Sequence, residues 1–153
     1  MEIKDALISK LEGEALELAT GFVDYLTSKG LTAQREWGDG YRFVMNERSP
    51  CLLVFLPQDN GWFVCDLPVA TEPEWAAISE DLQEFIVSHI KTCNVHEGNP
   101  CGCGSEPGLT KTIFGKSYQS ICTSEIQLVY PTAEVLAKLL QVMDWWLANI
   151  GTA

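Results

Sequence analysis

The sequence predicts an α+β domain built on an antiparallel sheet of about five strands, and three observations carry that expectation. A hydrophobic ribbon runs from Cys51 to Leu67, broken by the turn residues Pro57-Gln-Asp-Asn-Gly61. Three stretches with helical spacing of apolar residues flank it, at the N-terminus, in the middle and at the C-terminus. Between the middle and last of these, Gly and Pro interrupt the pattern from Asn94 to Gly108, within a wider Gly/Pro/Cys-rich loop at 94–112.

In the ribbon, Cys51, Leu53 and Phe55 alternate with Leu52, Val54 and Leu56, so both faces are apolar. A strand of that kind is expected at the centre of a sheet covered on both sides. Upstream, Ile3, Leu7, Leu11, Ala15, Leu18, Phe22 and Leu26 form one stripe of a helix to Ser28, which Gly30 is placed to stop. Gly13 costs about 1 kcal/mol against Ala inside such a helix, which leaves room for a separate first turn. Leu31–Trp37 and Tyr41–Asn46 alternate as strands around Gly38-Asp-Gly40, the first as an edge. With the ribbon they complete a four-strand meander.

Thr71 and Glu74 have the spacing of a capping box for a middle helix bearing Trp75, Ile78, Leu82, Phe85, Ile86, His89 and Cys93. After the loop, Ile113-Phe114 suggests a short strand or turn, and Glu125–Tyr130 a fifth strand. Thr132 then caps a last helix with Val135, Leu136, Leu139, Leu140, Met143, Trp146 and Ile150 inward. The chain reads as one domain over residues 1–153.

Composition narrows the function. With 46% apolar and 20% charged residues the core needs no staple. A formal charge of −11 opposes nucleic acid and anionic lipid, which are bound through Lys and Arg. No apolar run is long enough to span a bilayer, and no signal peptide is evident. The expectation is a cytoplasmic protein with its six cysteines reduced.

Two constellations stand out. Trp37, Tyr41, Arg42 and Trp62, with Arg35 nearby, fall at strand ends, where aromatics and a guanidinium suit a ligand pocket. Cys93, His96, Cys101 and Cys103 supply three thiols and an imidazole, four ligands of the kind a tetrahedral zinc site takes, with His89 as a substitute, although their spacing matches no finger or ribbon. Cys101-Gly-Cys103 also reads as a dithiol redox pair, opposed by the anionic neighbours Glu97 and Glu106. Cys122 with His89 or His96 is a weaker Cys/His pairing, and a histidine on an apolar stripe is more often structural. The common enzyme signatures are absent. In the last helix Trp145 and Trp146 cannot both face inward, which points to self-association as a homodimer.

Through Trp37-Gly-x-Gly-Tyr41, Leu52–Pro57, Gly61-Trp-Phe63 and the late strand into Pro131, the last two thirds of the chain resemble small bacterial proteins of the YdhG-like group and related domains of unknown function. The resemblance implies an α+β fold with an antiparallel sheet, no established activity and no transferable site residue. The leading expectation is therefore a binding or interaction domain without catalytic machinery. A zinc protein is the alternative and a thiol oxidoreductase the third. Elemental analysis separates them: protein purified without chelator carries about one zinc per chain if the cluster binds metal, and a metal-free preparation with every thiol titratable removes that reading.

Overall fold

The computed structural model describes residues 2–36, 38–57, 60–67, 73–92 and 109–152. The chain divides into two compact units, Met1–Cys65 with Leu128–Ala153, and Asp66–Gln127.

The first unit opens with α1 (Ile3–Lys10) and α2 (Gly13–Ser28). The helical stripe is broken where Leu11 and Glu12 turn extended and Gly13 takes φ +59°, a conformation open to glycine at little cost. Leu11 stays buried through the break, so the apolar register survives it. At the other end of α2, Gly30 (φ +97°) donates to the Thr27 carbonyl at 3.0 Å and Leu31 to that of Leu26 at 3.2 Å. That is the Schellman pattern, with Leu26 and Leu31 both buried.

Four strands follow: β1 (Thr32–Arg35), β2 (Gly40–Met45), β3 (Arg48–Phe55) and β4 (Trp62–Cys65). They pair antiparallel in chain order, with β1 at the edge and β3 between β2 and β4. Strand β3 begins before the bend expected at Ser49-Pro50. A register shift between Phe43 and Met45 lets Pro50, which has no N–H to donate, lie within the strand. Asn46 and Glu47, at φ 51° and 64°, make a two-residue turn of the kind that matches strand twist.

One face of this meander is fully buried: Tyr41, Phe43, Cys51, Leu53, Phe55, Trp62 and Val64 are all at most 4% exposed. The other, with Arg42, Val44, Leu52, Val54 and Phe63, is half-buried. The two-sided cover expected of the ribbon is thus complete on one side only. Phe22 of α2 lies 6.1 Å, centroid to centroid, from the rings of both Phe43 and Trp62. Helix α4 (Ala133–Trp146) neighbours α2 and adds Leu139, Val142, Met143 and Trp146 to the core. Thr132 caps it, its Oγ1 accepting from Val135 N at 3.3 Å. The helix closes in a π turn (Leu147–Gly151), where a Cβ on Gly151 would overlap Cζ3 of Trp146 and fall 2.7 and 2.8 Å from two further ring atoms.

The second unit holds a 3₁₀ turn (Pro73–Ala77), α3 (Glu80–Val87), β5 (Ile90–Thr92), β6 (Leu109–Ile113) and most of β7 (Lys116–Val129), whose last two residues belong to the first unit. Both β5 and β6 pair antiparallel with β7, and Phe114 and Gly115 (φ 50° and 81°) form the β6–β7 turn. Seven strands are therefore described, not about five. The strand β5 (Ile90–Thr92) lies where the middle helix was expected to continue past His89, β6 (Leu109–Ile113) extends the short strand or turn expected at Ile113-Phe114, and the late strand is 14 residues long.

The middle helix also differs from expectation. Ser79, not Thr71, caps it, accepting from Leu82 N at 3.4 Å with Glu80 and Asp81 in the first turn. It ends at Val87, before His89. Thr71 lies outside the described residues. The packing at the C-terminal turn yields a test: Gly151→Ala should lower stability by about 1–3 kcal/mol through overpacking on Trp146, read as the midpoint of urea unfolding.

Candidate functional site

Of the residues expected to line a pocket, Tyr41, Arg42 and Trp62 are described; Trp37 is outside the described residues. Tyr41 and Trp62 point into the core at 4% and 2% exposure, and Tyr41 meets Phe55 edge-on at 6.1 Å. Arg42, one residue on, projects to the opposite face. There its Nε donates to Glu36 Oε1 at 2.5 Å and its Nη2 to Oε2 at 3.3 Å. The structure thus brings Tyr41 and Trp62 onto one buried face and Arg42 onto the other.

The zinc candidates Cys93, His96, Cys101 and Cys103 lie outside the described residues. Among the described residues no group of three or more His, Cys, Asp and Glu is placed to hold a metal. The expected substitute ligand, His89, is engaged locally. Its Nδ1 donates to the Phe85 carbonyl at 3.0 Å and its ring lies 4.9 Å from that of Phe85, which fits a histidine finishing a helix C-terminus. Of the other thiols, Cys51 and Cys65 are buried.

Two concavities among the described residues are candidates for a site. In the second unit, Glu80, Gln83, Glu84 and Val87 of α3 face Ile113, Phe114, Lys116 and Tyr118 across a cleft of about 360 Å³. Its charged groups, Glu80, Glu84 and Lys116, are exposed. Exposed charges bind weakly because water and salt screen them. Gln83 is already committed, its Nε2 donating to the Ile78 carbonyl at 3.0 Å.

In the first unit, α2 and α4 enclose a groove of about 340 Å³ lined by Leu18, Gly21, Phe22, Tyr25, Ala133, Leu136, Ala137 and Leu140, with Glu17 at its mouth. Phe22 and Leu136 form a buried floor, while Leu18, Tyr25 and Leu140 are half-buried walls. The volume falls in the range of about 300–1,000 Å³ usual for binding pockets, and the lining is apolar as theirs is. Gly21 opens it. A Cβ there would meet nothing within 4 Å, so packing inside the chain does not require glycine at this position. A glycine within a helix nevertheless costs about 1 kcal/mol relative to alanine.

No family model, curated protein or solved structure matches the chain. Among the described residues no helix is long and apolar enough to cross a membrane. The sequence pattern pointed at aromatics on strand ends and passed over Gly21; a glycine midway along an unbroken helical stripe was the signal for the groove. The placements on the meander separate core from rim. Trp62→Ala should cost about 3–5 kcal/mol as a core truncation, whereas Glu36→Gln, which weakens a half-exposed ion pair, should cost under about 1 kcal/mol; both are read by chemical denaturation.

Proposed function

We propose that this chain is a non-catalytic interaction domain that receives an apolar, basic helical segment of another protein in the groove between α2 and α4. The observation that carries the proposal is Gly21: the position weakens its own helix, contacts nothing that excludes a side chain, and keeps an apolar trough open to solvent. A helix laid into such a trough buries its own apolar stripe against Phe22, Leu136 and Leu140, the mode by which amphipathic helices are recognised in grooves.

Charge selects the occupant. Helix α2 carries Glu14, Glu17 and Asp24 and no basic residue, while α4 carries Glu134 and Asp144 against the one Lys138. With −11 on the whole chain, a basic partner is attracted and a second copy is repelled at low ionic strength.

The test uses a synthetic Leu–Lys amphipathic helix and its Leu–Glu counterpart as probes, titrated by calorimetry. The Leu–Lys peptide should bind, more weakly as salt rises, and the Leu–Glu peptide should not. Gly21→Leu places a side chain at the groove from a position where a Cβ meets nothing within 4 Å. It should leave the fold intact, raise helix stability by up to about 1 kcal/mol, and weaken peptide binding at least about tenfold. Equal binding of both peptides, or an unaffected Gly21→Leu variant, overturns the proposal. A concentration-dependent mass lost in Gly21→Leu replaces it with self-association.

A further inference from the structure

Asn60 and Gly61 close the β3–β4 hairpin, and each is fixed by a different constraint. Asn60 has φ 53°, which Asn tolerates better than most residues. Its exposed side chain clasps the main chain of Glu12: Glu12 N donates to Oδ1 at 2.7 Å and Nδ2 donates to Glu12 O at 3.1 Å. Glu12 caps α2 at the extended break after α1, so the clasp gives its N–H an acceptor and adds a second donor to a carbonyl that already accepts from Leu16 N at 3.4 Å. At position 61 a Cβ would lie 2.7 Å from Leu56 Cδ1, 2.7 Å from Tyr130 Cε1 and 2.9 Å from Tyr130 Oη, so any larger residue must displace those side chains.

The hairpin thus holds an Asn-Gly pair, Asn60 exposed and Gly61 buried, the dipeptide in which the following main-chain nitrogen is least shielded from the asparagine side chain. We infer that Asn60 is a spontaneous modification site, a latch that deamidates when its clasp opens and does not close again. The deprotonated nitrogen of Gly61 attacks Cγ of Asn60. A bond from Cγ to that nitrogen forms, the bond from Cγ to Nδ2 breaks, and Nδ2 leaves as ammonia after taking up a proton. Water then opens the cyclic imide at either carbonyl, leaving aspartate or isoaspartate.

Either product disables the latch. In aspartate an acceptor oxygen replaces the Nδ2 donor and faces the Glu12 carbonyl. Isoaspartate routes the main chain through the side chain and shifts Gly61, whose carbonyl accepts from Leu56 N at 2.9 Å. While the clasp holds, both polar atoms of the amide are bonded to Glu12. The native rate therefore follows local opening.

The test is peptide mapping by mass on the full chain aged in mildly alkaline buffer, native and in urea. In urea, Asn60 should convert ahead of Asn46, which precedes Glu47, and Asn149, which precedes Ile150. In the native chain conversion should still concentrate at Asn60 but run at least about tenfold more slowly, because opening must come first. Asn60→Asp should lower the melting temperature and speed hydrogen exchange at Glu12; should that variant fail to fold, the aged species separated by charge supplies the same comparison. Conversion at Asn60 no faster than at the other two in urea overturns the site. Equal native and unfolded rates, or an aspartate form with unchanged melting and exchange, overturn the latch.

Discussion

The first unit depends on one contact: Phe22, the residue after the open position Gly21, meets both Phe43 and Trp62. Burying an aromatic ring of this size stabilises by about 1.5–3 kcal/mol, and edge-on or tilted ring pairs add about 0.5–1.5 kcal/mol beyond the area buried. More important is its geometry. Phe43 and Trp62 belong to the two strands that flank β3, so one side chain of α2 ties the helix to the meander on both sides of its central strand. The register follows: a slip of one residue would exchange the fully buried face for the half-buried one that carries Arg42.

That constraint also orders the surface. With Ala19, Phe22, Val23 and Leu26 turned inward, α2 can present only its flank to α4, and there the small residues Gly21, Ala133 and Ala137 leave the trough. The core and the groove are two uses of one helix, divided at Phe22. A receptor reading accounts for a costly glycine better than packing does, and the acidic dress of α2 gives that receptor a sign.

Much of the fold was legible because it was local. Strict alternation revealed β2 to β4, the Gly30 stop followed from its position after a helical stripe, and Thr132 announced α4. The misreadings share a cause. Most of β6 and the first half of β7 are rich in Lys, Ser and Thr, so they look like loop unless the partner strand is known, and pairing is a long-range property. Ile90 was absorbed into a helix because its neighbours share the helical period. The cap of α3 is Ser79, whose Oγ accepts from Leu82 N, a signal masked in sequence by the capping-box spacing of Thr71 and Glu74. Of the expected pocket, spacing identified Tyr41 and Trp62 as aromatics near strand ends but could not say that they face inward. The groove escaped because a void between two helices leaves no pattern except the residue that fails to fill it.

Cys51 and Cys65 stand on adjacent strands yet on opposite faces, since Leu52, not Cys51, is opposite Cys65 in the ladder. Their Cβ vectors therefore diverge, and no disulfide between them is compatible with the native sheet. Oxidation of this pair is open only to a chain that has not yet folded, and it would trap that chain in a non-native collapse. By folding, the meander therefore places both sulfurs where neither the other thiol nor solvent reaches them.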